Sequence, residues 1–320
     1  MKIKIPESVS ESFDLEFRED SPFDVVGFGL NSIDHFYVVT EYPDRAGKAE
    51  IVQFEQLPGG QVATALTFLA RMGLCARYIG KVGDDETGRA SLKSLNAESL
   101  DTSSVLIEKG IRNSFSVIII DQKSGERTVL YQRDKGLDFR NSELNEEIIC
   151  SGKVLHLDGY DRASIEAARF CQRNGIAVCA DLDTVVPNCD ALLECVDFLI
   201  VSSNFPSEFT GITNRDDAFL KLRNSYDGFL AMTLGNRGCQ AWMGGQCIHF
   251  PAQLINAVDT TGSGDIFHGA FIFGLLENWS IGKIMAFSNA AAGLSCLHLG
   301  ARSGIRPLSE ILNYIDSNNR

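Results

Sequence analysis

Val154-Leu155-His156-Leu157-Asp158, then Ser164 to Asn174 with Gly175 behind it, then Ile176-Ala177-Val178-Cys179-Ala180-Asp181, read as strand, helix and strand. Two short apolar runs joined by a helix form a crossover, and a crossover makes its strands parallel. Gly175 is the expected helix stop, because glycine tolerates the left-handed turn after a last helical residue. The pattern continues through Asp197-Phe198-Leu199-Ile200-Val201-Ser202 and Gly228-Phe229-Leu230-Ala231-Met232-Thr233, and Val25-Val26-Gly27-Phe28-Gly29 adds a strand upstream. Such runs suit strands buried on both faces. The expected fold class is therefore α/β, a three-layer αβα sandwich around a central, mostly parallel sheet. Ligands of such sheets sit beyond the carboxyl ends of the strands, where Asn31, Asp34, Thr233, Gly235 and the turn from Asp259 to Asp265 all fall.

Four segments break the alternation: Phe36–Val39, Glu50–Phe54, Ser114–Asp121 and Thr128–Gln132, the last two flanking a hairpin connection at Gln122–Arg127. They are expected to form a small separate sheet, a lid with segments near 35–57 and 111–135. Residues 1–21 read as a polar N-terminal extension ahead of one α/β domain over 22–320. Gly27-x-Gly29 after the first strand invites a dinucleotide reading, but Ser32 stands where the third glycine would be needed, which speaks against a dinucleotide oxidoreductase.

Asp259-Thr260-Thr261-Gly262-Ser263-Gly264-Asp265 opens into an apolar helix. Two glycines around a serine allow backbone N–H groups to converge beside the positive end of that helix, which makes an anion site. Asp265 in the first turn can take a proton from a hydroxyl while the amides hold charge on a transferring phosphoryl group. A plain capped helix, with Asp259 or Thr261 as N-cap, is the competing reading.

This motif resembles the C-terminal motif of the ribokinase-like (PfkB-type) sugar kinases, with Ser263 in place of the usual Ala. A second resemblance lies at Gly59-Gly60-Gln61-Val62-Ala63-Thr64 to Gly73, followed by Tyr78-Ile79-Gly80-Lys81-Val82-Gly83-Asp84-Asp85. The resemblance implies an ATP-dependent kinase of a monosaccharide hydroxyl, with the β-lid over its sugar. It implies Asp265 as general base and Gly262, Ser263 and Gly264 as the anion hole. Asn31, Asp34, Gly59, Gly60 and Thr64 would line the sugar pocket, and an Asx turn is the alternative at the first two. Thr233, Gly235 and Gly238 would approach the nucleotide and Asn289 the adenine, against a plain hairpin turn and a packing Asn. Magnesium would come with ATP. The family's Asn-x-x-Glu lacks a clean match, since Asn204 and Glu208 stand four apart, so Glu208 as a magnesium ligand departs from the pattern. Potassium would sit by Asp259, Thr261 and the carbonyls of Leu299 to Gly304.

Substrate identity stays open between a neutral sugar, a sugar phosphate and a nucleoside, and so does a non-catalytic sugar- or nucleotide-binding regulator on this fold. Two of Arg112, Arg133 and Lys135 turned into the pocket would favour an acidic or phosphorylated sugar. Thr64 stands where ribokinases usually carry Asn, which puts ribose in doubt. The chain of 320 residues carries a formal charge of −13, which argues against nucleic acid as partner. No apolar run of about 18 residues suggests a membrane span. The start, Met1 to Pro6, lacks a signal-peptide core. Nine scattered cysteines without a Cys-x-x-Cys pair read as reduced thiols of a cytoplasmic protein. The lid edge offers a surface for pairing two chains as a homodimer.

Overall fold

The computed structural model describes residues 3–123, 127–159 and 162–318. Along the chain, β1 (Phe23–Phe28) enters a central sheet, and β2 (Ser32–Val39) and β3 (Ile51–Gly59) leave it for a second one. β4 (Ala76–Ile79) returns, β5 (Lys81–Gly83) pairs with β6 (Leu106–Glu108) as a two-stranded ribbon, and β7 (Phe115–Asp121) and β8 (Arg127–Gln132) complete the second sheet. The regular half then supplies β9 (Gly152–Leu157), β10 (Ala177–Leu182), β11 (Phe198–Val201) and β12 (Phe229–Thr233), and β13 (Cys239–Met243) and β14 (Gln246–Phe250) fold back along the edge.

The central sheet runs β14-β13-β12-β11-β10-β9-β1-β4, parallel from β12 to β4 with two antiparallel strands at the other edge. All six residues of β10 are buried, as a strand covered on both faces requires. Successive side chains point to opposite faces, so each strand feeds two cores. Val25, Val154, Cys179 and Ile200 join helices Gln61–Arg71 and Ser263–Leu276 on one side, while Val26, Leu155, Val178 and Leu199 meet helix Ala163–Arg173 on the other.

The second sheet runs β3-β2-β7-β8 and is the expected lid. Three of its four strands are longer than the sequence suggested, and β7 is one residue shorter. β2 starts at Ser32, so Asp34 lies inside the first lid strand, opposite Leu57 and Ser116, rather than in a turn at the end of β1. The apolar run begins only at Phe36, which hid the polar root of the strand. Residues Ser124 to Glu126 of the hairpin connection lie outside the described residues.

Residues 3–21 hold no strand or helix, and Phe13 packs against Phe198 and Phe229, the first residues of β11 and β12. Phe13 is 3% exposed, its ring 5.0 Å from those of Phe198 and Phe229. The carbonyls of Val9 and Glu11 accept from Gly282 and Ile281, the first turn of helix Ile281–Ser295, and satisfy amides that a helix leaves unpaired. No helix of the described residues is long and apolar enough to cross a membrane.

Candidate active site

The turn before helix Ser263–Leu276 is held by Asp259, not capped by it. The buried Asp259 carboxylate accepts from the Thr261 amide at 3.0 Å, the Thr261 hydroxyl at 2.7 Å and the Gly300 amide at 2.8 Å. Gly262 is the N-cap with φ 76°, and no side chain caps the helix. The capping reading of Asp259 and Thr261 therefore fails, because their side chains bind each other and the 299–304 loop. Ser263 donates its amide and hydroxyl to Thr260 O, at 3.3 and 2.9 Å, which gives the serine a local use. Among the described residues the amides of Gly264 and Asp265 make no backbone hydrogen bond, so they are free to face an anion.

Asp265 stands in the first turn of this helix. The residue keeps some exposure, but its carboxyl group is enclosed. Burial pushes that carboxyl up to about 8, the neighbouring Asp181 adds to the rise, and His268 opposes it. His268, three residues on and so on the same helix face, puts Nδ1 2.8 Å from Gly264 O and 3.3 Å from Asp181 Oδ2, with Nε2 3.2 Å from Ile200 O. Burial holds its neighbour His156 in the neutral form, down to about 3, with the two rings 5.9 Å apart. The sequence reading passed over Asp158 and Asp181. They end the described strand runs at the carboxyl edge, and that position was the available signal.

A pocket lined by Phe28, Asn31, Ser114, Arg133 and Asp158 opens at the carboxyl end of β1, under the lid. Asp34 is buried beside it, raised by burial, and accepts from the Ser32 hydroxyl at 3.1 Å. Gly59 and Gly60 are required here. A Cβ on Gly59 would lie 1.9 Å from Asp34 Oδ2, and Gly60, with φ 90°, would meet Asn31 Cα at 2.6 Å. Thr64 is fully buried, and its hydroxyl faces Arg302 at 3.5 Å rather than the open pocket.

A cleft of about 340 Å³ on the other side of the turn is lined by Thr233, Gly235, Gly238, Asn289, Ser263, Gly264 and Arg127. Thr233 to Cys239 is a hairpin turn between β12 and β13, and it also forms a wall of this cleft. Asn289 likewise lines the cleft while donating to Phe250 O at 3.1 Å. Arg127 reaches down from the lid to the hydroxyls of Thr260 and, at 3.5 Å, Thr261. Glu208 and Asn204 are exposed on or beside helix Phe205–Thr210 and line neither space.

Helix-N-terminal amides on the wall of a nucleotide-sized cleft, a raised carboxylate beside them and a polar pocket under a β-lid are the parts of a phosphotransferase with a hydroxyl acceptor. The comparisons narrow this. The model described as pfkB family carbohydrate kinase matches residues 23–307, and the chain belongs to that family. Among curated proteins it is 28% identical over 306 residues to Probable fructokinase-5 of Arabidopsis thaliana, covering 87% of this chain and 92% of that one. It is 26% identical over 320 residues to Fructokinase-1 of Oryza sativa subsp. japonica, covering 92% and 98%. The solved structure of a putative ribokinase from Agrobacterium tumefaciens matches with TM-score 0.84 and 27% identity over 93% of this chain and 99% of that chain. A fructokinase with bound ATP from Xylella fastidiosa, 19% identical, shares the fold with TM-score 0.76 over 93% and 99%.

Proposed function

We propose that the protein transfers the γ-phosphoryl group of magnesium-ATP to a hydroxyl of a neutral ketohexose, fructose being the first candidate. The observation that carries this reading is the charge state of the sugar pocket. Arg133 lines it but is ion-paired with Asp138, and the buried Lys81 is paired with Glu143 at 2.7 Å and Glu108 at 3.5 Å. Arg112 and Lys135 are exposed. The two cations that line the pocket, Arg133 and Lys81, are thus ion-paired within the protein, which favours a substrate without an anion of its own. The names of the fructokinase relatives point the same way.

In this reading Asp34, Asn31, Gly59 and Gly60 hold the sugar, and Thr64 supports them from behind. Asp265 removes the hydroxyl proton as the oxygen attacks in line, and the turn of Gly262, Ser263 and Gly264 presents the free amides of Gly264 and Asp265 to the charge on the phosphoryl group. Thr233, Gly235, Gly238 and Asn289 receive the nucleotide. Magnesium would be held chiefly through phosphates and water, since Glu208 lies away from the cleft. Potassium would use the Asp259–Thr261 turn and the 299–304 carbonyls. Exposed Ile51, Phe54, Leu130 and Tyr131 on the outer lid strands suit pairing of two copies. Nine free cysteines suit the cytoplasm.

The test is ADP release from magnesium-ATP across ketoses, aldoses, 2-keto-3-deoxy acids, nucleosides and sugar phosphates. Neutral ketohexoses are expected to lead. A sugar phosphate turned over with the higher kcat/KM would overturn the neutral-substrate reading.

The same assay carries a pH prediction. A base raised to about 8 is mostly protonated in the free enzyme at neutral pH, so kcat/KM should climb about tenfold per unit up to about pH 8 and then level. A profile already flat at pH 6 would show that Asp265 is not the titrating base.

A further inference from the structure

Arg302 is 3% exposed, and no carboxylate of the described residues comes within 4.0 Å of its guanidinium. Burial pulls it down to about 10, which leaves it charged at neutral pH. A buried charge normally has a partner of opposite sign. This one has neutral acceptors instead, and three of the four belong to residues of the sugar-binding segments. Nη2 donates to Asn31 Oδ1 at 3.1 Å and to Gly59 O at 2.5 Å, Nε to Thr64 Oγ1 at 3.5 Å and Nη1 to Ser94 Oγ at 3.4 Å. Its own carbonyl accepts from Arg71 at 2.8 Å, and Arg71 is forked onto Glu98 at 2.9 and 2.6 Å. Two residues before it, Gly300 donates to Asp259, so the loop also touches the anion-hole turn.

A guanidinium only donates, so it dictates which end of an amide faces it. Asn31 must turn Oδ1 toward Arg302, which leaves Nδ2 on the other side. Asn31 is 4% exposed, it lines the sugar pocket, and its Nδ2 has no hydrogen-bond partner. Buried donors of this kind are rare unless a ligand completes them. Asp34, on the next strand residues, is an acceptor held against Gly59.

We propose that Arg302 is a positioning residue that locks the Asn31 amide with its NH2 toward the substrate, so that the pocket presents a donor at Asn31 and an acceptor at Asp34. A sugar oxygen must then accept from Asn31 while a hydroxyl donates to Asp34. A polyol satisfies both, whereas a deoxy analogue at that position leaves the amide orphaned. The inference rests on the sugar-kinase reading of this pocket.

Arg302→Met removes the donors at similar length, Arg302→Lys keeps the charge with a single point donor, and Asn31→Asp keeps an acceptor for Arg302 but deletes the NH2. Loss of one buried hydrogen bond is worth up to about tenfold in affinity. Arg302→Met should raise the sugar KM about tenfold and leave the KM for magnesium-ATP unchanged, with Arg302→Lys between it and the wild type. Asn31→Asp should melt no lower than the wild type, because it gains an ion pair, yet lose about tenfold in sugar kcat/KM. An unchanged sugar KM in Arg302→Met, or both KM values rising together, would overturn the proposal. Should Arg302→Met fail to fold, an undiminished sugar kcat/KM in Asn31→Asp overturns it instead. If the wild type turns over no sugar, the sugar-kinase reading fails separately. Crystal structures of the wild type and Arg302→Met then decide the positioning, and an Asn31 side chain unmoved between them rejects it.

Discussion

Asp265→Asn is expected to lower kcat by a factor of about 10²–10⁴, the usual worth of a positioned general base, while magnesium-ATP still binds. The amide keeps the size of the carboxyl and leaves the helix amides in place, so only the proton acceptor is lost. The same substitution should stabilise the protein at alkaline pH, for a reason that can be signed. The folded carboxyl is raised from 3.8 to about 8, so the folded chain keeps a proton that the unfolded chain releases. The stability this group contributes is fully present below about pH 4 and is lost as pH rises through about 8. Asparagine has no such loss. At pH 9 the variant should melt above the wild type, and at pH 4 the two should converge. Turnover and melting temperature therefore move in opposite directions, which distinguishes a base from a merely structural residue. Turnover close to that of the wild type, or a melting temperature lowered at pH 9, would remove Asp265 from the role.

Gly262→Ala is expected to cost about 10²–10³ in kcat, comparable to losing an oxyanion donor. Two effects combine. The residue sits at φ 76°, where an L side chain costs about 1–2 kcal/mol. The added Cβ would also lie 2.4 Å from Ala301 Cβ and 2.6 Å from Ala301 Cα, so the turn must move away from the 299–304 loop. That loop is tied to Asp259 and carries Arg302, so it cannot yield freely. A displacement of about 1 Å at the amides is enough for a loss of this size. Gly264→Ala is the internal control. Its Cβ meets no heavy atom within 4 Å, so the fold should survive and any loss should appear in the KM for ATP. Equal kcat for Gly262→Ala and wild type would show that the turn does not shape the transition state.

Much of the molecule was legible in the chain. The strand–helix alternation from Val154 to Thr233 predicted the parallel sheet, because strands buried on both faces must be apolar along their length. The four irregular segments predicted the lid, and the Gly-Ser-Gly turn predicted helix Ser263–Leu276 with Asp265 in its first turn. These are local properties, set by periodicity and by where only glycine fits.

What the tertiary structure alone decided are contacts between residues far apart in the chain. Phe13 lies in a segment of polar composition, and only the apolar gap between Phe198, Phe229 and Phe271 draws it inward. Asp259 looked like a helix cap; its partner at Gly300 came from a loop 41 residues away. Arg302 looked like one charge in a loop of carbonyls. It became the support of Asn31, Gly59 and Thr64 because a guanidinium buried without a carboxylate must find its acceptors wherever the fold brings them, here more than 200 residues upstream.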